Sequence, residues 1–148
     1  MNKKLAFTVL AILFLSGQIF AQVGITAYNQ SAISIISPKS NLLQLELKTF
    51  LNVNARNTRF EALVLYPFVE RPTHRFLFGG GLQTGFGNSD LPNPFFCVPV
   101  QAEITPFEQV KQLALALEVA PLIIENNVII RYMFGLRYYF GKKKETSE

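Results

Sequence analysis

The segment IRYMFGLRYYF, residues 130–140, places Ile130, Tyr132, Phe134, Leu136, Tyr138 and Phe140 at one parity and Arg131, Met133, Gly135, Arg137 and Tyr139 at the other. Side chains of an extended chain alternate between two faces, so this pattern predicts a strand with one wholly apolar side. Working outward, Leu113 to Pro121 repeats it, with Leu113, Leu115, Leu117 and Val119 against Ala114, Ala116, Glu118 and Ala120. Phe96 to Pro106 sets Phe96, Val98, Val100, Ala102 and Ile104 against Cys97, Pro99, Gln101 and Glu103. Arg75 to Phe86, Phe60 to Phe68 and Leu43 to Leu51 alternate in the same way. Six such segments predict an all-β chain.

The punctuation agrees. Polar or Gly/Pro-containing connections occupy 29–31, 38–41, 52–57, 70–73, 87–94, 108–111 and 125–127. Most are short, which favours antiparallel neighbours in a meander. Val23 to Tyr28 and Ala32 to Ser37 supply two further short strands, the alternative being one long strand over 23–37 and a total of seven. Eight is the even count that returns both chain ends to one side of an up-and-down barrel.

The contents of the two faces decide what each meets. One is Leu, Val, Ile, Phe and Tyr, without charge in the six clear strands. The other carries Gly79, Gly81, Gly85, Ala114, Ala116 and Gly135 among Glu46, Glu61, Glu103, Glu118, Lys48, Arg75, Arg131 and Arg137. Glycine gains nothing on a strand facing water but fits the crowded inside of a narrow barrel. Equal numbers of acids and bases can satisfy one another there, arginine best through paired hydrogen bonds. The expectation is a transmembrane β-barrel, apolar outside and polar within. Phe60, Tyr66, Phe68, Phe86, Phe96, Tyr132, Tyr138 and Phe140 fall towards strand ends, where aromatic girdles sit. The alternative is a soluble periplasmic barrel of lipocalin type around an apolar ligand, which needs the opposite assignment of faces.

The ending Arg131-Tyr-Met-Phe-Gly-Leu-Arg-Tyr-Tyr-Phe140 resembles the terminal strand of outer-membrane barrel proteins, and the chain is similar in architecture to the eight-stranded OmpA/OmpX type. The resemblance implies that Phe140 serves as the assembly signal read by the barrel-assembly machinery, and that outer-membrane lipid surrounds the barrel. Residues 142–148 continue past it as a polar tail, which departs from that pattern.

The chain begins with Lys3 and Lys4, an apolar run from Leu5 to Leu15, and Ala21 before Gln22, the three-part pattern of a secretory signal peptide. Residues 1–21 are therefore expected to be removed and 22–141 to form the barrel, placing it in the outer membrane of a Gram-negative cell. The remaining chain suits one domain. Charged residues make up 16% of the 148, well below the soluble norm of ~25%, which disfavours disorder and a soluble surface. The net charge of +4 falls to +2 without Lys3 and Lys4, too little to attract nucleic acid.

Chemistry-bearing residues are sparse. His74 is the sole histidine and stands at a turn, without a nucleophile in a catalytic pattern. Cys97 is the sole cysteine and has inward parity, where an inert thiol is expected. Gly79 to Gly81 lacks the Lys-Ser or Lys-Thr of a phosphate loop. Glu103 and Glu118 could form an acid/base pair, but four cations share their face and favour salt bridges. Lys142 to Lys144 read as a solvated tail. No catalytic residue, cofactor or metal site is expected, and eight strands leave no general pore.

Overall fold

The computed structural model describes residues 23–39, 41–51, 58–86, 94–124 and 127–141. The signal segment 1–21, the connections 52–57 and 125–126, most of 87–94 and the tail 142–148 lie outside the described residues.

Nine strand segments follow in order: β1 (Gly24–Tyr28), β2 (Ala32–Ile36), β3 (Gln44–Phe50), β4 (Thr58–Glu70), β5 (His74–Phe86), β6 (Phe95–Cys97), β7 (Val100–Ile104), β8 (Leu113–Ile124) and β9 (Asn127–Tyr139). β6 and β7 are two halves of one barrel strand. Both pair antiparallel with β5 on one side and β8 on the other, in one continuous register. The ladder is thinned at Val98 and Pro99: Val98 N–H donates to the Pro121 carbonyl and Gly79 N–H to the Pro99 carbonyl, both at 3.1 Å, but neither proline has an N–H to return. Each strand pairs antiparallel with its neighbour in sequence, and β9 returns to pair with β1, closing the barrel at eight strands.

The two N-terminal strands are separate, five residues each. Asn29 to Ser31 reverses the chain between them, with Ser31 at φ 50°, the left-handed position that closes a three-residue hairpin. The other long strands outrun their periodicity: β4 starts at Thr58 and ends at Glu70, and β8 and β9 reach to Ile124 and Asn127. The connection after β7 contains a single 3-10 turn, Glu108–Val110.

The register sets the barrel's shape. Starting at Tyr139 and stepping across partners through Gly24, Ile36, Glu46, Leu63, Gly81, Cys97 and Leu122 leads back to β9 at Ile129, ten residues from the start. Ten residues of ~3.3 Å against eight strands of ~4.8 Å correspond to a strand tilt of ~40°.

The apolar parity faces outward all the way round. Leu45, Val64, Phe78, Val100, Leu117 and Phe134 are all exposed. The other parity is enclosed, where Glu46, Gln101, Ala114 and Arg137 are each 0% exposed. The interior is more mixed than the charges alone suggest. Ile36, Leu63, Leu65, Leu77, Phe95, Cys97 and Leu122 form an apolar cluster beside the ionic groups. They share the inward parity, so the barrel is filled by a polar column and an apolar column side by side. Two glycines on β5 make room for the latter: a Cβ at Gly81 would overlap the Ala62 carbonyl and crowd the Leu63 methyl, and one at Gly79 would do the same to Val64 and Leu65.

Candidate functional site

The eight charged residues singled out by parity are all buried in the barrel. Two pairs are direct cross-strand partners: Lys48 opposite Glu61 on β3 and β4, and Arg75 opposite Glu103 on β5 and β7. The network also includes contacts along β3, diagonally between β8 and β9, and across the lumen. Arg75 Nη1 donates to Glu103 at 3.2 Å, and Glu103 also accepts from Arg137. Arg137 Nη2 donates to Glu46 at 2.9 Å. Lys48 lies 3.8 Å from Glu46 and 3.1 Å from Glu61, and bonds to Glu118. Arg131 grips Glu61 with both terminal nitrogens, at 2.7 and 2.9 Å, and reaches Glu118 at 2.7 Å. The eight thus form one connected chain of ion pairs. It runs from Arg75, near the end of the barrel holding the 71–73 turn, to Arg131, towards the end where β8 turns into β9.

Neutral groups complete this chain, and most were not individually singled out from sequence. Gln101 donates to Glu46 at 2.5 Å and to Glu118 at 2.7 Å, bridging two carboxylates that would otherwise repel. Ser34 and Tyr28 donate to Glu46 at 2.6 and 3.1 Å. Tyr139 donates to Glu103, and Thr26 accepts from Arg137 Nε, both at 2.6 Å. The available signal was parity: all five share the inward face with the charges. Their hydrogen bonds matter because buried ions recover their hydration loss only when their remaining lone pairs and protons are also satisfied.

At the turn end the network thins. Lys39 lies in the β2–β3 turn, 3.9 Å from Glu103 and with its ammonium 4.2 Å from the Tyr139 ring centroid. Burial pushes the Lys39 ammonium below its ordinary value, against the opposing pull of Glu103. Arg75 Nε lies 3.3 Å from the exposed Glu70, and its Nη2 has no hydrogen-bond partner.

The other candidates resolve locally. Glu103 and Glu118 are both held in ion pairs rather than set about a cleft. His74 Nδ1 is 3.1 Å from the Thr73 hydroxyl, and its ring meets Phe76 edge-on. Cys97 is a free, buried thiol in the apolar column. Gly79 to Gly81 is plain strand within β5. Among the described residues, no three His, Cys, Asp or Glu side chains are grouped to hold a metal. Phe140 follows directly on β9, half-exposed, and its N–H donates to the Val23 carbonyl at 2.9 Å. Comparison of the chain with protein-family models, curated proteins and solved structures gave no match.

The geometry suits a filled barrel. A continuous ionic chain flanked by an apolar column leaves the lumen to side chains, as expected at eight strands.

Proposed function

We propose that this chain is an integral outer-membrane barrel whose role is structural or surface-interacting, rather than catalytic or as a general diffusion pore. One observation carries the reading: the exposed parity is apolar on every strand, while the charges are enclosed. Water would penalise so continuous an apolar surface, whereas acyl chains accept it. Closure supports the reading too, since lipid offers backbone groups no partners and an unclosed sheet could not span it. A soluble barrel around an apolar ligand would need the reverse arrangement.

In this reading outer-membrane lipid is the principal partner, the signal at 1–21 directs export, and Phe140 is the residue offered to the assembly machinery. Neither nucleic acid nor a cofactor is required. The test is fractionation followed by gel electrophoresis with and without heating. Recovery with outer membranes and a mobility shift on boiling are expected. Release in osmotic-shock fluid overturns the proposal.

A further inference from the structure

Arg75 is a buried guanidinium of which only one corner is engaged. It is 4% exposed, and its Nη1 donates to Glu103 at 3.2 Å. Its Nε and Nη2 are enclosed and make no hydrogen bond. These two nitrogens form one edge of the guanidinium, with parallel N–H groups spaced to grip two oxygens of a single anion. A buried donor without a partner is costly, and an arginine cannot escape that cost by losing its proton. Glu70 is the acid set against this edge, with Oε1 3.3 Å from Nε but out of hydrogen-bonding line. Its side chain is 58% exposed, so the edge is reached from solvent by displacing a carboxylate that is already solvated.

Lys39 supplies a second charge at the same place. It meets the Glu103 oxygen that Arg75 also meets, Oε2, but at 3.9 Å, beyond hydrogen-bond length. Arg137 holds the other oxygen of Glu103. One carboxylate therefore answers three cations at this mouth, and of the three only Arg137 has a second acid within the barrel, Glu46. With Lys39 counted, the inward cations among the described residues outnumber the inward acids by one, since the other charges of the lumen are evenly divided.

The geometry points to the turn-end mouth of the barrel as a binding site for a phosphate group, seated on the Nε–Nη2 edge of Arg75 with Lys39 beside it. A phosphate presents three acceptor oxygens and more negative charge than a carboxylate. Two oxygens match the parallel donors of Arg75, and the third falls to the Lys39 ammonium. Both cations then gain charge-assisted bonds that the barrel's own acids do not give them. Glu103 keeps Nη1, which is not part of that edge. The site rests on the closed barrel and not on its membrane setting. Inorganic phosphate and the headgroup of an anionic phospholipid share this chemistry.

The test uses the full mature chain folded in dodecylmaltoside micelles and titrated with inorganic phosphate at constant ionic strength. A saturable NMR shift of the Arg75 Nε–H is expected, with no such response to chloride. Arg75→Lys keeps the charge facing Glu103 but loses the fork, and should weaken binding at least tenfold. Lys39→Met should weaken it several-fold. Glu70→Gln removes the competing carboxylate and should tighten it. Short-chain phosphatidylglycerol is titrated in parallel: tighter binding of the lipid assigns the site to a headgroup, tighter binding of phosphate to the free anion, and either supports the site. Should Arg75→Lys not fold, the Arg75 resonance of the unsubstituted protein and the Lys39 and Glu70 variants carry the test. No saturable shift, an equal response to chloride, or a variant that leaves affinity unchanged or moves it the other way overturns the inference. So do shifts confined to Thr73 and Lys111, which line the outer cleft between the 71–73 turn and the segment after β7.

Discussion

The Arg137 guanidinium and the Glu46 carboxylate lie 91 residues apart in sequence and 2.9 Å apart across the lumen. Arg137 also serves Glu103, so one cation joins the carboxylates of β3 and β7 from its place on β9. Removing it leaves two buried acids short of a partner. Arg137→Met should cost about 3–5 kcal/mol, the usual penalty for breaking a buried ion pair from one side. Adding Glu103→Gln should recover part of that loss. Urea unfolding in lipid vesicles would measure both, and a double variant no better than the single would refute this account of the chain.

Leu117 and Ala116 are neighbours on β8 with opposite fates, the first 45% exposed and the second 1%. On the proposed membrane reading, Leu117→Arg would put a charge among acyl chains near mid-membrane and should cost roughly 2–4 kcal/mol. Ala116→Ser adds one hydroxyl on the lumen side and should be mild. Vesicle folding yields compare the two, and equal tolerance would contradict the assignment of faces.

The glycines of β5 offer a matched test of packing. A Cβ at Gly81 overlaps the Ala62 carbonyl, whereas one at Gly80 meets nothing nearer than the Cys97 carbonyl at 3.9 Å. Gly81→Ala should therefore destabilise by about 1–3 kcal/mol through overpacking. Gly80→Ala should be neutral or slightly stabilising. The urea midpoints would show the contrast, and similar midpoints would mean that β4 and β5 are spaced more loosely than described.

Lys39 provides a pH-dependent case outside the barrel strands. Its ammonium is held below the ordinary lysine value chiefly by burial. A lowered lysine value means that folding favours the neutral amine. The contribution to stability is thus present above the ordinary lysine range and is lost as pH falls through the folded-state value. At pH 7 the charge is a net burden, so Lys39→Met should leave the barrel at least as stable there. Its advantage should shrink as pH rises towards the ordinary lysine range. Unfolding curves from pH 7 upward check the sign, and an advantage that grows with pH would reverse it.

Cys97 sits in the apolar column, 1% exposed. A maleimide added to the folded barrel should not label it, and labelling should become complete after boiling in detergent. Rapid labelling of the native protein, read by mass spectrometry, would show that the column opens.

Period-two alternation was sufficient to read the class, six of the strands and the inward set Glu46, Lys48, Glu61, Arg75, Glu103, Glu118, Arg131 and Arg137, while the requirement of an even count supplied the two short N-terminal strands. Parity is a local property: each side chain's face depends only on its place along its own strand. Which acid meets which base is not local. Lys48 lies opposite Glu61 and Arg137 reaches Glu46 only because ten residues of stagger are distributed round the closed barrel. The shortness of β1 leaves it beside only the last residues of β9, Gly135 to Tyr139. Alternation along each strand determined the faces of this protein. Closure and stagger, which couple residues far apart in the chain, decided the ion pairs and the glycine contacts.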